Sequence, residues 1–352
     1  MERTKKSTSL SDQLKKKVNG PVRTKHNEFK GKFFGNNIST GSTLLDLAIS
    51  GGRVRGGGLP AGILVEIFGP SGSGKTVLLS EIAGNIQAKG GQVMFHDPEA
   101  RLNKQFAKMF GLNLEEEDYG RPDTVPEVFK AVRAWSPNGK NDTIHGVMAD
   151  SLAALSTGQE MDKDEGDKMG MRRAKEFSEE LRKTCRILAH NNYLMVCSNQ
   201  VRINVGGGDW GPKYTTPGGE AVGFYSSVRL KTQIVKKITK KKKIHGKEVS
   251  RVIGVDAEVE VFKNSVWKPF HKAPVTIIFD YGIDDIRQNL QFLKDNSSKS
   301  TYYLGNETLK NSIEESIVMV EKNDWEERLR QEVILLWTSI ESQFDSHRKP
   351  KR

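Results

Sequence analysis

The chain has 352 residues, with 55 Lys and Arg against 44 Asp and Glu, a net charge of +11, and 36% hydrophobic and 28% charged residues. That length holds one large domain or two moderate ones and buries a proper core, while the low hydrophobic fraction assigns a real share to loops and tails. The apolar runs at 63–68 and 193–197 are far too short to span a bilayer, no apolar stretch follows Arg3, Lys5 and Lys6, and two cysteines, Cys185 and Cys197, build neither a disulfide framework nor a four-ligand zinc site. The expectation is a chain that neither spans a membrane nor is secreted, in a reducing, cytosolic setting.

The elements read as follows in chain order. Residues 1–37 are polar and basic, with one short amphipathic helix candidate at 10–18 that Gly20 and Pro21 terminate. A capped short helix follows at 40–46, then a glycine-rich run at 51–58 that leads into a buried strand at 63–68. Helices are predicted at 75–89, 104–110, 125–135 and 172–190, and strands at 92–96, 146–149 and 193–198. In the longest helix Phe177, Leu181, Cys185 and Leu188 form one apolar stripe. Strands alternating with covering helices imply an α/β core with a mainly parallel sheet. Beyond residue 202 comes a glycine-rich loop, then β segments at 228–235 and 252–262 that read as a hairpin with a basic tip, a strand at 275–279, and a small helical appendage from 290.

The charge is local. Residues 1–34 hold ten Lys and Arg against three acids, and residues 236–243 add six lysines with no acid. Together these exceed the net charge of the whole chain, which points toward a polyanionic partner, with plain solvated lysines as the alternative.

Gly69, Pro70, Ser71, Gly72, Ser73, Gly74, Lys75 and Thr76 fit GxxxxGK[ST] completely and lie directly between a predicted strand and a predicted helix. In that context the glycines let backbone N–H groups converge on a phosphate, the helix start adds its positive end, Lys75 reaches the β/γ oxygens and the Thr76 hydroxyl suits magnesium. Asp150, closing the strand at 146–149, is the candidate second magnesium holder. Asp97-Pro-Glu99 closes another strand and offers a carboxylate to orient the attacking water. Glu99 is the preferred base, with Asp97 read as capping the turn.

From about residue 38 to 279 the sequence resembles the RecA recombinases. The motifs are Ile38-Ser-Thr-Gly-Ser, Val65-Glu-Ile-Phe-Gly-Pro through Thr76, Asp97-Pro-Glu99, Asp150-Ser-Leu-Ala-Ala-Leu155, Gly166-Asp-Lys-Met-Gly170, Ser198-Asn-Gln-Val-Arg202, Thr215-Thr-Pro-Gly-Gly219, Phe224-Tyr-Ser-Ser-Val-Arg-Leu230 and Lys263-Asn264. The resemblance implies a RecA-like P-loop core over residues 38–285, a basic N-terminal arm (1–37) for assembly, and a small C-terminal domain with a basic tail (286–352). It implies ATP and Mg2+ as cofactors, single- and double-stranded DNA as partners, a helical homo-oligomeric filament, and DNA-stimulated ATP hydrolysis coupled to homologous pairing and strand exchange in the cytoplasm, that of a host if the chain is phage-encoded. A ring helicase on the same core and a weakly hydrolysing recombination mediator are the competing readings.

Carried over by motif, Glu99 activates water, Gln200 senses the γ-phosphate, Phe106 takes the adenine-stacking position with Asn103 nearby, and Lys263 reaches a neighbour's nucleotide. The DNA loops fall at about 157–171, with Met169, Gly170, Arg172 and Arg173 beside it, and at 202–219, with Arg202, Trp210, Lys213, Gly218 and Gly219. Plain structural readings stand beside several of these: Phe106 packing on Phe110, Met169 filling a gap, Arg172 and Arg173 as a solvated helix start, Trp210 inserting into the core. The sequence also departs from the family where Gly223 and Ser265 replace expected interface lysines, where the N-terminal arm is shorter in helix and more basic, and where a basic tail replaces an acidic one.

Overall fold

The structure is a computed structural model describing residues 36–51, 53–138, 143–157, 169–203, 214–215, 220–346 and 348. In chain order the larger of two compact units, Phe33–Gln288, contains α1 (Thr43–Ser50), β1 (Leu64–Gly69), α2 (Lys75–Ala88), β2 (Val93–His96), α3 (Lys104–Met109), β3 (Tyr119–Gly120), α4 (Val125–Ala134) and β4 (His145–Ala149). It continues with α5 (Met169–Asn191), β5 (Tyr193–Gln200), β6 (Arg202–Ile203), β7 (Tyr214–Thr215), α6 (Glu220–Tyr225), β8 (Val228–Ile244), β9 (Lys247–Asn264), β10 (Lys272–Ile278), β11 (Gly282–Ile283) and the start of α7 (Asp285–Asp295).

Nine strands form one sheet in the order β11-β10-β9-β8-β1-β5-β4-β2-β3. From β8 to β3 neighbours run parallel, and β9, β10 and β11 extend the sheet antiparallel. Every residue of β1 and β4, and all of β5 but Gln200, is buried, as the apolar runs of a sheet covered on both faces require. On one face α4 and α5 pack together. α4 starts at a capping box between Thr124 and Glu127, and its Phe129 meets Phe177 of α5 edge to face at 6.2 Å. Phe177, Leu181 and Leu188 of the expected stripe are buried in this core, while Cys185 is only partly so.

The hairpin departs from its sequence reading. The lysines do not sit at its tip. β8 runs on through all of them to Ile244 and pairs with β9 from Lys247 onward, so they line the arm of a ribbon. The reason is the turn: His245 and Gly246 both adopt left-handed backbone, φ 47° and 79°, which closes the strands with two residues and leaves no loop to hold the cations.

The smaller unit, described over residues 289–346, includes β12 (Tyr303–Leu304) paired with β13 (Glu307–Thr308), α8 (Ile313–Lys322) and α9 (Glu326–Gln343). Ser312 caps α8 by accepting from the Glu315 N–H, and Leu304, Val320, Leu329 and Val333 are buried. Among the described residues no helix is long and apolar enough to cross a membrane.

Candidate functional site

β1, β5, β4 and β2 are consecutive neighbours in the sheet, and their carboxyl ends open on one side. Open parallel sheets bind ligands outside those ends. Gly69 pairs with Gln200, Ala149 with Cys197 and His96 with Ala149, so the loop after β1, the last residue of β5, and Asp150 and Asp97 just beyond β4 and β2 converge. They frame a cleft of about 480 Å³ whose lining includes Lys75, Thr76, Glu99, Asn103, Phe106, Asp150 and Gln200. Gly69 and Gln200, 131 positions apart in sequence, meet there only because of strand order.

The loop from Gly69 to Thr76 is shaped by its glycines. A Cβ on Gly69 would stand 2.3 Å from the Thr232 carbonyl oxygen, and Gly74, at φ 88°, would place one 2.3 Å from Ile277 Cδ1. Gly74 is the N-cap of α2 and offers no side-chain acceptor, so the first N–H groups of that helix lack side-chain capping. Such an end is suited to an anion. Ser73 braces the loop from behind, its hydroxyl 2.7 Å from both the Pro70 carbonyl and Thr232 Oγ1. Lys75 Nζ donates to the Gly69 and Pro70 carbonyls at 3.0 and 2.7 Å. Burial holds its pKa below the ordinary lysine value, against the opposing pull of the Asp150 and Glu99 charges.

Thr76 Oγ1 donates to Asp150 Oδ2 at 2.6 Å, and the Ser198 hydroxyl donates to Asp150 Oδ1. Burial pushes the Asp150 carboxyl above its usual range; the Ser198 and Thr76 hydrogen bonds pull it back, and the Glu99 and Asp97 charges add to the rise. A cation beside Asp150 would relieve that burden. Among the described residues no group of three or more His, Cys, Asp or Glu forms a metal cage. The hydroxyl and carboxylate pair fits a hard ion that takes its remaining ligands from phosphate and water, as Mg2+ does.

Glu99 Oε1 accepts from Ser151 Oγ at 2.9 Å and from Gln200 Nε2 at 3.4 Å, while Oε2 pairs with Arg101 at 2.6 Å. The carboxylate is thus held from three sides. Asp97, by contrast, is used structurally. Its Oδ2 accepts from the Leu102 N–H at 2.8 Å and the Tyr119 hydroxyl at 2.6 Å, tying the segment after β2 to β3. Asn103 caps α3 through the Gln105 N–H, and Phe106 meets Phe110 edge to face at 4.8 Å while also lining the cleft. The packing reading of Phe106 holds, and the residue also borders the cleft.

Behind the cleft lies a polar cluster that sequence reasoning passed over. Glu66, in the middle of β1 and fully buried, accepts from Arg229 Nε at 2.6 Å and Asn199 Nδ2 at 3.0 Å. Asn199 Oδ1 in turn accepts the Gln200 N–H at 3.1 Å. Glu66, Asn199 and Arg229 each lie inside a motif quoted above, but local spacing gives none of them a partner. Ser151 and Ser198 lie inside motifs quoted above without a role of their own, and only Arg101 stands outside every motif.

Lys263 is not part of the cleft. Its Nζ donates to the Gly223 and Phe224 carbonyls at 2.9 Å, closing the end of α6. Arg172 is exposed, and Arg173 donates to the Ala153 and Leu155 carbonyls in the segment after Asp150. Met169 and Gly170 open α5 and Arg202 lies in β6. Trp210, Lys213, Gly218 and Gly219 lie outside the described residues.

Comparison with known proteins agrees with this geometry. Residues 15–284 match the family model described as the RecA N-terminal domain. Protein RecA of Borrelia hermsii is 36% identical over 246 residues, 70% of this chain and 65% of the relative. Protein RecA of Thermus thermophilus is 37% identical over 249 residues, 71% and 68% of the two chains, and that of Borrelia turicatae is 33% identical over 302 residues, 83% and 79%. The match thus spans about 65% of the length of the Borrelia hermsii relative.

Proposed function

The chain belongs to the RecA family, and from that premise we propose that it is an ATP-dependent recombinase, which assembles on single-stranded DNA, pairs it with homologous duplex and exchanges strands. Family membership implies nucleotide and DNA binding. The observation that carries the finer reading is the convergence of the Gly69–Thr76 loop, Asp150, Glu99 and Gln200 at the carboxyl ends of four adjacent strands.

In this reading the loop glycines and the start of α2 receive the β-phosphate, and Lys75 exchanges its two carbonyl partners for β/γ oxygens. Thr76 and Asp150 hold Mg2+, which neutralises charge on the phosphates when bound. Phe106 offers a face for the adenine at the far side of the cleft, with Asn103 beside it. Glu99 orients the attacking water and takes its proton. Ser151 and Arg101 fix the carboxylate while Gln200, in contact with it, detects the γ-phosphate. Gln200 also ends β5 directly before β6, so a shift of its side chain reaches the 202–219 segment, the proposed DNA loop. Lys263, which does not line its own cleft, would reach the nucleotide of an adjacent subunit by giving up its Gly223 and Phe224 carbonyl partners.

ATP hydrolysis with and without single-stranded DNA tests this reading, with electron microscopy of the ATP-analogue complex. Helical filaments and DNA-stimulated hydrolysis that Lys75→Ala and Glu99→Gln both abolish are expected. Closed rings, or hydrolysis indifferent to DNA together with no strand exchange, would overturn it.

A further inference from the structure

The outer half of the β8–β9 ribbon has no place in the site described above, and its charge is sorted by face. Beyond Gly254, the last buried residue of β9 on that side, the ribbon continues for about seven residues, or roughly 23 Å at ~3.3 Å per residue. Every residue from Thr239 to Glu248 is exposed. The register is regular over this stretch, so residues paired across the strands share a face.

Lys240 faces Arg251, Lys242 faces Val249, and Ile244 faces Lys247. That face presents four cations and no carboxylate. The opposite face pairs Lys241 with Ser250 and Lys243 with Glu248, and Lys241 is bound to Glu248 at 2.9 Å. Like charges directly opposite one another, as Lys240 and Arg251 are, destabilise a strand pair. Among the described residues no carboxylate lies within ion-pair distance of Lys240, Lys242, Lys247 or Arg251.

We propose that the Lys240/Lys242/Lys247/Arg251 face of the ribbon docks duplex DNA. Three features select this occupant. The uncompensated cations on one face match a polyanion, and a two-stranded ribbon fits the major groove, about 12 Å wide. The face also carries no Phe, Tyr or Trp, so it offers unpaired bases nothing to stack on and disfavours single strands. The proposal rests on the DNA-binding reading above for its choice of polyanion, but not on strand exchange.

Two double variants of the full chain remove equal charge from opposite faces: Lys240→Ala with Lys242→Ala, and Lys241→Ala with Lys243→Ala. Binding of each to a fluorescent 30-base-pair duplex and to a single strand is measured across a salt series. The first pair is expected to weaken duplex binding on the order of tenfold and to reduce the steepness of the log–log salt dependence by about 2, since each phosphate contact contributes about 0.9. The second pair is expected to have less than half that effect, and single-strand affinity to hold within about threefold in both. Equal losses from the two pairs, no loss from either, or a larger loss from the second would overturn the proposal and leave the lysines as edge-protecting, solubilising groups. Face asymmetry in a protein whose ATPase ignores single-stranded DNA would uphold the ribbon while removing the recombinase reading.

Discussion

Replacing Glu66 with alanine probes the link between the interior of the sheet and the site. Its side chain has no exposed surface, and the Arg229 side chain it holds is 18% exposed. Arg229 cannot simply swing into water, because it lies over the Phe68 ring at 4.6 Å and the Phe262 ring at 5.5 Å, two rings that meet edge to face at 5.6 Å. Glu66→Ala therefore leaves a positive charge held in a low-dielectric setting and withdraws the acceptor that Asn199 Nδ2 uses. Breaking a buried pair by removing one partner costs about 3–5 kcal/mol. At a urea dependence of about 3 kcal/mol per molar, that lowers the unfolding midpoint by about 1–1.7 M. Glu66→Gln keeps an acceptor oxygen and is expected to lose less. Because Asn199 also accepts the Gln200 N–H, either variant that still folds should loosen the Gln200–Glu99 contact and lower DNA-stimulated hydrolysis more than nucleotide affinity. Urea titration followed by tryptophan fluorescence measures the first effect. A loss below about 1 kcal/mol for Glu66→Ala, at unchanged slope, would refute the claim that this pair is buried and mutually dependent.

Two other perturbations test different parts of the molecule. Burial raises the Asp46 carboxyl from 3.8 to about 6, against hydrogen bonds from Ser39 and Thr40 and with a further push from the Asp285 charge. With the folded value above the unfolded one, its contribution is fully present below pH 4 and is lost as pH rises to about 6, a fall on the order of 3 kcal/mol. Asp46→Asn should remove this component, so the wild-type minus variant stability, read from urea midpoints between pH 4 and 7, should slope downward; a flat difference would count against it. Phe106→Ala should weaken adenine nucleotide binding by about 1–2 kcal/mol, in the range of base–aromatic stacking, as isothermal titration would show. Unchanged affinity would leave Phe106 with only its packing role against Phe110.

The sequence determined what is local. A strand, a glycine-bearing loop and a helix are consecutive, so Gly69–Thr76 declared both its conformation and its chemistry without reference to the rest of the chain. Asp150 and Glu99 were legible because each follows an apolar run and acids at strand ends face outward. Tertiary structure decided how these pieces meet. Ser151, Ser198 and Gln200 reach Glu99 and Asp150 only through the order β5-β4-β2, and Glu66 finds Arg229 across 163 residues because β8 pairs with β1. The ribbon shows the same division from the other side. Lysine is a poor strand former, so the run at 236–243 reads as a loop. A two-residue turn at His245-Gly246 and a partner strand on the far side make it an arm with two unlike faces. Alternation along a strand sorts side chains in twos, but only the register of the pairing says which cations stand together, and that is a property of the folded chain.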